Sequence, residues 1–231
     1  MKRLKKWQIA LICAALVLAL CAGAFFIYVG DCYRADTAAI GAYTVSVEAA
    51  DYSDIGFIFY PGGKVEAGAY SAIIENLNAR GFSAYLVPMP FNLAFFGINK
   101  ADGIISAHPE VEHWYIGGHS LGGVAASIYA SGSERIEGVV LLGSYSTKDL
   151  SEKRVLSVYG SEDGVLNRKA YEENKINLPA DFEEVVIEGG CHAGFGMYGA
   201  QSGDGTPRIS SAEQIDKTAE LISRFLLRSY Q

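Results

Sequence analysis

The stretch that most restricts how this chain can fold is Trp114-Tyr115-Ile116-Gly117-Gly118-His119-Ser120-Leu121-Gly122-Gly123-Val124-Ala125-Ala126. A short apolar run of strand character meets a tight turn and then small residues of helical character. Gly118-His119-Ser120-Leu121-Gly122 has the G-x-S-x-G spacing of a nucleophile elbow at that turn. A serine on a sharp strand-to-helix turn sits in a strained backbone, and side chains two residues either side would collide there; the glycines remove them. The same turn aims the first free N–H groups of the helix, Leu121 N–H among them, at the space above the serine, where a helix N-terminus favours negative charge. Ser120 is therefore the candidate nucleophile and Leu121 N–H a candidate oxyanion donor. With 26 glycines in 231 residues the spacing alone is weak, so partners elsewhere must decide.

The front of the chain constrains location. Met1-Lys2-Arg3-Leu4-Lys5-Lys6 is basic, and Trp7 to Gly30 is uncharged and almost wholly apolar, long enough to cross a bilayer as a helix. Cations before the run put its amino end in the cytoplasm and the remainder outside, which makes this a single-pass cell-membrane protein with an extracytoplasmic domain. Ala22-Gly23-Ala24 has the small-residue form of a signal-peptidase site, so a cleaved signal is the alternative; the apolar run continues through Phe25 to Val29, which favours a retained anchor. Leu20 before Cys21 is too large for the usual lipobox. Cys13 and Cys21 lie in the membrane run, and Cys32 and Cys191 are read as free thiols. The expected organisation is a cytoplasmic tip and anchor over 1–30, a linker and first strand over 31–54, and one globular domain over 55–231. A net charge of −7 and a pI near 5.1 exclude nucleic acid as a partner, since no basic patch follows residue 6.

After the anchor, residues 31–42 read as a linker or short helix and Tyr43–Glu48 alternates as a half-exposed strand. Ile55–Tyr60 is continuously apolar, as a strand buried on both faces should be. Helices are expected over about Ala67–Arg80, Phe91–Ala107, Arg168–Asn174 and Ala212–Leu227. Further strands are expected at Ser83–Val87, before Ser120, and at Gly138–Leu142, Val155–Tyr159 and Glu184–Ile187. Alternating strands and helices predict an α/β fold, a mostly parallel sheet with helices on both faces.

In such a sheet, ligands sit beyond the carboxyl ends of the strands. His108 and His113 precede their strand and belong to the far end, while His119 lies inside the elbow in a structural or pocket-lining position. His192, in Glu188-Gly189-Gly190-Cys191-His192-Ala193-Gly194-Phe195-Gly196, follows the last strand between glycines, and is the candidate general base. Asp163, in a glycine-flanked turn just after a strand, is preferred over Asp149 and Glu162 as the acid that orients it. The turn after Tyr60, through Gly63 or Lys64 N–H, is the candidate second oxyanion donor. Phe91 and Phe95, with Phe195 and Met197 opposite, are candidates for an acyl pocket. No metal ligand set and no cofactor motif is present, and oligomeric state is not legible.

Tyr60-Pro61-Gly62-Gly63-Lys64, Val87 to Phe95, Gly117 to Gly123, Tyr159 to Gly164 and Gly189 to Gly196 together resemble the blocks of the α/β-hydrolase superfamily. The likeness is to its small, uncapped, dienelactone-hydrolase-like branch, alpha/beta hydrolase fold-5. The chain order Ser120, Asp163, His192 is that superfamily's nucleophile, acid, base order. The resemblance implies a serine hydrolase, carboxylesterase-like, acting on a small acyl substrate, with thioesterase, peptidase, acyltransferase or a non-catalytic binder on the same fold as alternatives. Only a short connection lies between Gly143 and Arg154, where capped members insert a lid, so an open site is expected. Cys191 and Gly194 depart from the Asn and Gln expected around the family histidine, which bears on loop hydrogen bonding and not on the three site positions.

Overall fold

The computed structural model describes residues 5–48 and 50–228, and the chain divides into two units, Met1–Cys32 and Tyr33–Gln231. In the first, α1 (Lys6–Gly30) is a single helix of 25 residues whose large apolar side chains, Leu18, Leu20 and Ile27 among them, are exposed. At 1.5 Å per residue it is about 37 Å long, more than the roughly 30 Å of a bilayer's hydrocarbon core. Among the described residues it is the one helix long and apolar enough to cross a membrane.

In the second unit β1 (Tyr52–Tyr60), β2 (Phe82–Leu86), β3 (His113–His119), β4 (Ile136–Leu142), β5 (Arg154–Gly160) and β6 (Glu183–Ile187) form one parallel sheet in the order β2-β1-β3-β4-β5-β6. The helices are α2 (Thr37–Ala42), α3 (Ser71–Ala79), α4 (Lys100–Ala107), α5 (Leu121–Ser131), α6 (Arg168–Asn174) and α7 (Ser211–Leu227). Strand alternation sorts the core into two layers. Phe57 and Phe59 of β1 pack with Ile73 and Leu77 of α3 and Ile222 and Phe225 of α7. Ile58 and Tyr60 pack with Ala101 and Ile105 of α4 and Ala125 and Ala126 of α5 on the other face. Each such side chain contributes about 1.5–3 kcal/mol by leaving water, which is why a strand covered on both faces reads as unbroken apolar sequence.

Two expected elements differ. Tyr43–Glu48 forms no strand, and the sheet begins at Tyr52. The Tyr43 hydroxyl instead donates to Asp216 of α7 and accepts from Asn76 of α3, so the segment is fastened across two helices rather than laid along a sheet edge. The helix expected from Phe91 begins only at Lys100, after two single 3-10 turns at Pro90–Asn92 and Ala94–Phe96. Phe91 and Asn92 take left-handed φ values of 55° and 53°, which no continuous helix accommodates. Segment 143–153 contains no helix or strand, as an uncapped fold requires.

The sheet order reverses between β1 and β3, and this switch point holds the elbow. Ser120 follows β3 with φ 52° and ψ −123°, a strained backbone for a residue with a side chain. The first turn of α5 presses on the end of β1 so closely that a Cβ at Gly122 would lie 2.2 Å from Tyr60 O and 2.3 Å from Pro61 O. Those atoms are backbone and have nowhere to move. Gly122→Ala should therefore destabilise the protein by about 3 kcal/mol or more through overpacking. Gly103→Ala, in open space on α4, should instead gain about 0.5–1 kcal/mol from helix propensity. Urea unfolding of the full-length protein in detergent checks both, and equal stability of the two variants would contradict the packing described here.

Candidate active site

Ser120 is held by its backbone. Its N–H donates to Leu142 O (2.9 Å), and its carbonyl accepts from Gly123 N–H (3.0 Å) and from the Ser144 hydroxyl (2.7 Å). Two neighbouring strand ends thus fix the turn.

His192, after β6, meets Asp163, after β5: Nδ1 lies 2.9 Å from Asp163 Oδ2, with both side chains essentially inaccessible. The other carboxylate oxygen, Oδ1, accepts from Val165 N–H (3.0 Å) and Leu166 N–H (2.8 Å), so the buried acid is satisfied on both sides without a cation. A carboxylate accepts only, which assigns the imidazole proton to Nδ1 and leaves Nε2 as the acceptor. His192 Nε2 is buried and has no hydrogen-bond partner among the described residues. Gly143, with φ 52°, makes room for the pair: a Cβ there would lie 2.9 Å from His192 Nδ1 and 3.1 Å from Asp163 Oδ2. Asp149 is exposed and accepts from Ser151 N–H (2.9 Å), and Glu162 pairs with Arg208 (2.6 Å), so neither rival reaches the imidazole.

The remaining histidines fall where strand position puts them. His108 and His113 pair with Glu110 and Glu137 at the opposite end of β3. His119 is buried, with Nδ1 2.8 Å from the Tyr70 hydroxyl and its ring centroid 4.3 Å from that of His192. Burial, reinforced by the neighbouring His192, pushes its pKa well below the usual histidine range, so it stays neutral. Cys191 is a buried free thiol, and burial together with the Asp204 charge pushes its pKa up to about 11.

Gly63 abuts the elbow, since a Cβ on it would stand 2.9 Å from Leu121 Cδ2. Lys64 N–H donates to Asn92 O (2.7 Å) and Gly62 N–H to the Tyr70 hydroxyl (3.2 Å). Of the two candidates in this turn, the Lys64 N–H is therefore already engaged by a backbone carbonyl.

A cavity of about 190 Å³ contains Ser120 and His192 in its wall, with Leu121, Val124, Tyr145, Val165, Leu166 and Asn167 among the other lining residues. None of the four expected pocket aromatics and methionines is there. Phe195 and Met197 are buried in the core beside α3 and α7, Phe195 with its ring 5.5 Å from His119. Phe91 and Phe95 are each 46% exposed on the irregular loop that precedes α4. Their sequence signal was apolarity after a strand, which core and surface loop satisfy equally. Gln214 of α7 was not anticipated: its amide accepts from Cys191 N–H (3.0 Å) and donates to Cys191 O (2.8 Å). A Cβ on Gly194 would lie 2.0 Å from Gln214 Oε1, so a side chain from α7 occupies the loop position that the expected glutamine would crowd. No group of His, Cys, Asp and Glu able to hold a metal ion occurs among the described residues.

Among solved structures, the fold is similar to a monoacylglycerol lipase from Paleococcus ferrophilus, with TM-score 0.57 and 16% identity over 76% of this chain and 96% of that one. TT1662 from Thermus thermophilus gives TM-score 0.53 and 13% identity over 78% and 90%. A predicted CIB-like hydrolase from Thermoplasma acidophilum gives 0.53 and 15% over 76% and 89%. At such identities the likeness is one of fold. Comparison with curated protein sequences gives no match. The model of the alpha/beta hydrolase family matches residues 56–216, well over half of the chain, which therefore belongs to the alpha/beta hydrolase family.

Proposed function

We propose that this alpha/beta hydrolase is a serine esterase acting outside the cytoplasm and tethered to the membrane by α1. The observation that carries the reading is the buried His192–Asp163 pair, whose unpartnered imidazole nitrogen belongs to a residue lining one cavity with the strained Ser120. In the mechanism, Ser120 Oγ attacks the acyl carbon as His192 Nε2 takes its proton. The oxyanion is met by Leu121 N–H and Gly63 N–H, each such donor being worth roughly 3 kcal/mol of barrier. Collapse breaks the bond to the leaving alkoxide, which takes the proton from His192. Water then attacks the acyl-enzyme, again through His192, and frees Ser120. Asp163 holds the tautomer and stabilises the imidazolium while it exists. The basic tip before α1 and the uncharged run itself support an anchor with the amino end in the cytoplasm.

The cavity sets the acyl group. Ligand sites usually exceed about 300 Å³, and this cavity measures about 190 Å³. Short acyl chains fit and long ones do not.

Fluorophosphonate should add once to the wild type, at Ser120, as read by intact mass and peptide mapping. Ser120→Ala should abolish the adduct, and His192→Ala or Asp163→Asn should slow labelling by about 10⁴-fold. An unlabelled, folded wild type, or an adduct that survives Ser120→Ala, would refute the assignment. Among p-nitrophenyl esters, butyrate should be cleaved at least about tenfold faster than decanoate, and Leu166→Ala should narrow that gap by opening the cavity. A profile that is flat with chain length in the wild type would rule out this cavity as the acyl site. The Cys191 thiol stays protonated at neutral pH, so Cys191→Ala should keep the labelling rate within about twofold, whereas a thiol nucleophile would lose it.

A further inference from the structure

The loop between Tyr198 and α7 carries an acid that the mechanism above does not use. Asp204 lies in Gly203-Asp204-Gly205, and its carboxylate accepts four backbone hydrogen bonds. Oδ1 accepts from Gly164 N–H (3.1 Å), His192 N–H (3.1 Å) and Gly205 N–H (2.9 Å), and Oδ2 accepts from Ala193 N–H (2.7 Å). Three of these donors belong to the two turns that carry the acid and the base. Gly164 directly follows Asp163, and the other two are His192 itself and the residue after it.

We propose that Asp204 is a positioning residue, a carboxylate clamp that fixes the Asp163 turn against the His192 turn and so sets the imidazole's place relative to Ser120. The inference rests on the serine-hydrolase reading and adds to it a residue that touches no substrate.

The chain is shaped to bring this side chain in. A Cβ on Gly205 would lie 2.0 Å from Glu162 O, and one on Gly164 would lie 2.6 Å from Gly203 O, so both glycines are needed for the Asp204 loop to close on the Asp163 turn. The residue type follows from the donor count. Four N–H groups require two acceptor oxygens, and only a carboxylate supplies them; an amide in the same place would turn an NH₂ toward at least one N–H. Burial pushes this carboxyl up, but the backbone bonds, those of Ala193 and Gly164 foremost, more than offset it and hold the pKa below the usual carboxylate range. The clamp is therefore charged at neutral pH. It is also needed where it stands: β5 and β6 deliver Asp163 and His192 on separate irregular turns, and the backbone bond from Glu162 N–H to Gly190 O (2.8 Å) joins them only one residue before Asp163 and two before His192. A base displaced by about 1 Å costs on the order of a hundredfold in rate.

The test uses full-length protein in detergent, a fluorophosphonate and p-nitrophenyl butyrate, with rates expressed per folded molecule from a parallel melting curve. Asp204→Asn keeps the side chain's shape. With one of its two acceptor oxygens replaced by an NH₂, it should lower kcat and the labelling rate about tenfold with KM within about twofold, and Asp204→Ala should lower them about a hundredfold. The inference is overturned if wild type is labelled and Asp204→Asn reacts as fast per folded molecule, whatever happens to its melting temperature; that is the signature of an aspartate serving the fold alone. A rise in KM with kcat unchanged overturns it equally, since it would put Asp204 in substrate binding. A wild type that takes no label defeats the serine-hydrolase reading first, and this inference with it.

Discussion

Everything at the site depends on how closely the first turn of α5 approaches the end of β1. Gly122 stands where any side chain would enter the carbonyls of Tyr60 and Pro61, and that contact has two consequences. It bends the chain at Ser120 into the strained left-handed backbone that exposes its side chain. It also brings the Pro61–Gly63 turn alongside Leu121, so two elements distant in sequence meet at one place. The hydrogen bonds from Gly62 N–H to Tyr70 and between Tyr70 and His119 then tie that turn back to the elbow itself. A parallel sheet supplies this arrangement only where its strand order reverses, because only there do two carboxyl ends diverge to leave a crevice.

How much of this could be read from residues alone follows from which physical signal each part leaves. The strands buried on both faces were legible because burial demands unbroken apolarity, and Ser120, Asp163 and His192 could be singled out because each lies in the turn beyond the carboxyl end of a strand. The lining of the cavity was not. Phe195 and Phe91 are both aromatic residues in loops beyond strands, and whether such a ring enters the core, as Phe195 does, or stays exposed, as Phe91 does, is decided by backbone torsions that composition does not record. Tyr43–Glu48 alternated correctly for a strand, but alternation states only that one side is covered, and here helices α3 and α7 provide the cover. Gln214 and Asp204 were invisible for a third reason: their partners are backbone N–H and C=O groups, which every residue has, so no residue type at the other end marks the contact.

The environment of the imidazole is built from neutral or negative groups. His119 lies 4.3 Å away by ring centroid, tilted against His192, and would repel a second cation, but burial keeps it uncharged. A neutral His119 adds no like charge beside His192, whose Nδ1 faces the Asp163 carboxylate.

That carboxylate is buried without an opposing cation, which would ordinarily be too costly to keep. Two backbone N–H groups on its outer oxygen meet the cost with fixed dipoles rather than a mobile charge. The difference matters for a base. A lysine or arginine in the same place would pair with Asp163 permanently and leave little attraction for an imidazolium, whereas N–H dipoles satisfy its outer oxygen and leave the other facing His192. In the proposed mechanism the charge pair then forms only while the proton is on the ring, which is when stabilisation lowers a barrier rather than deepening the resting state.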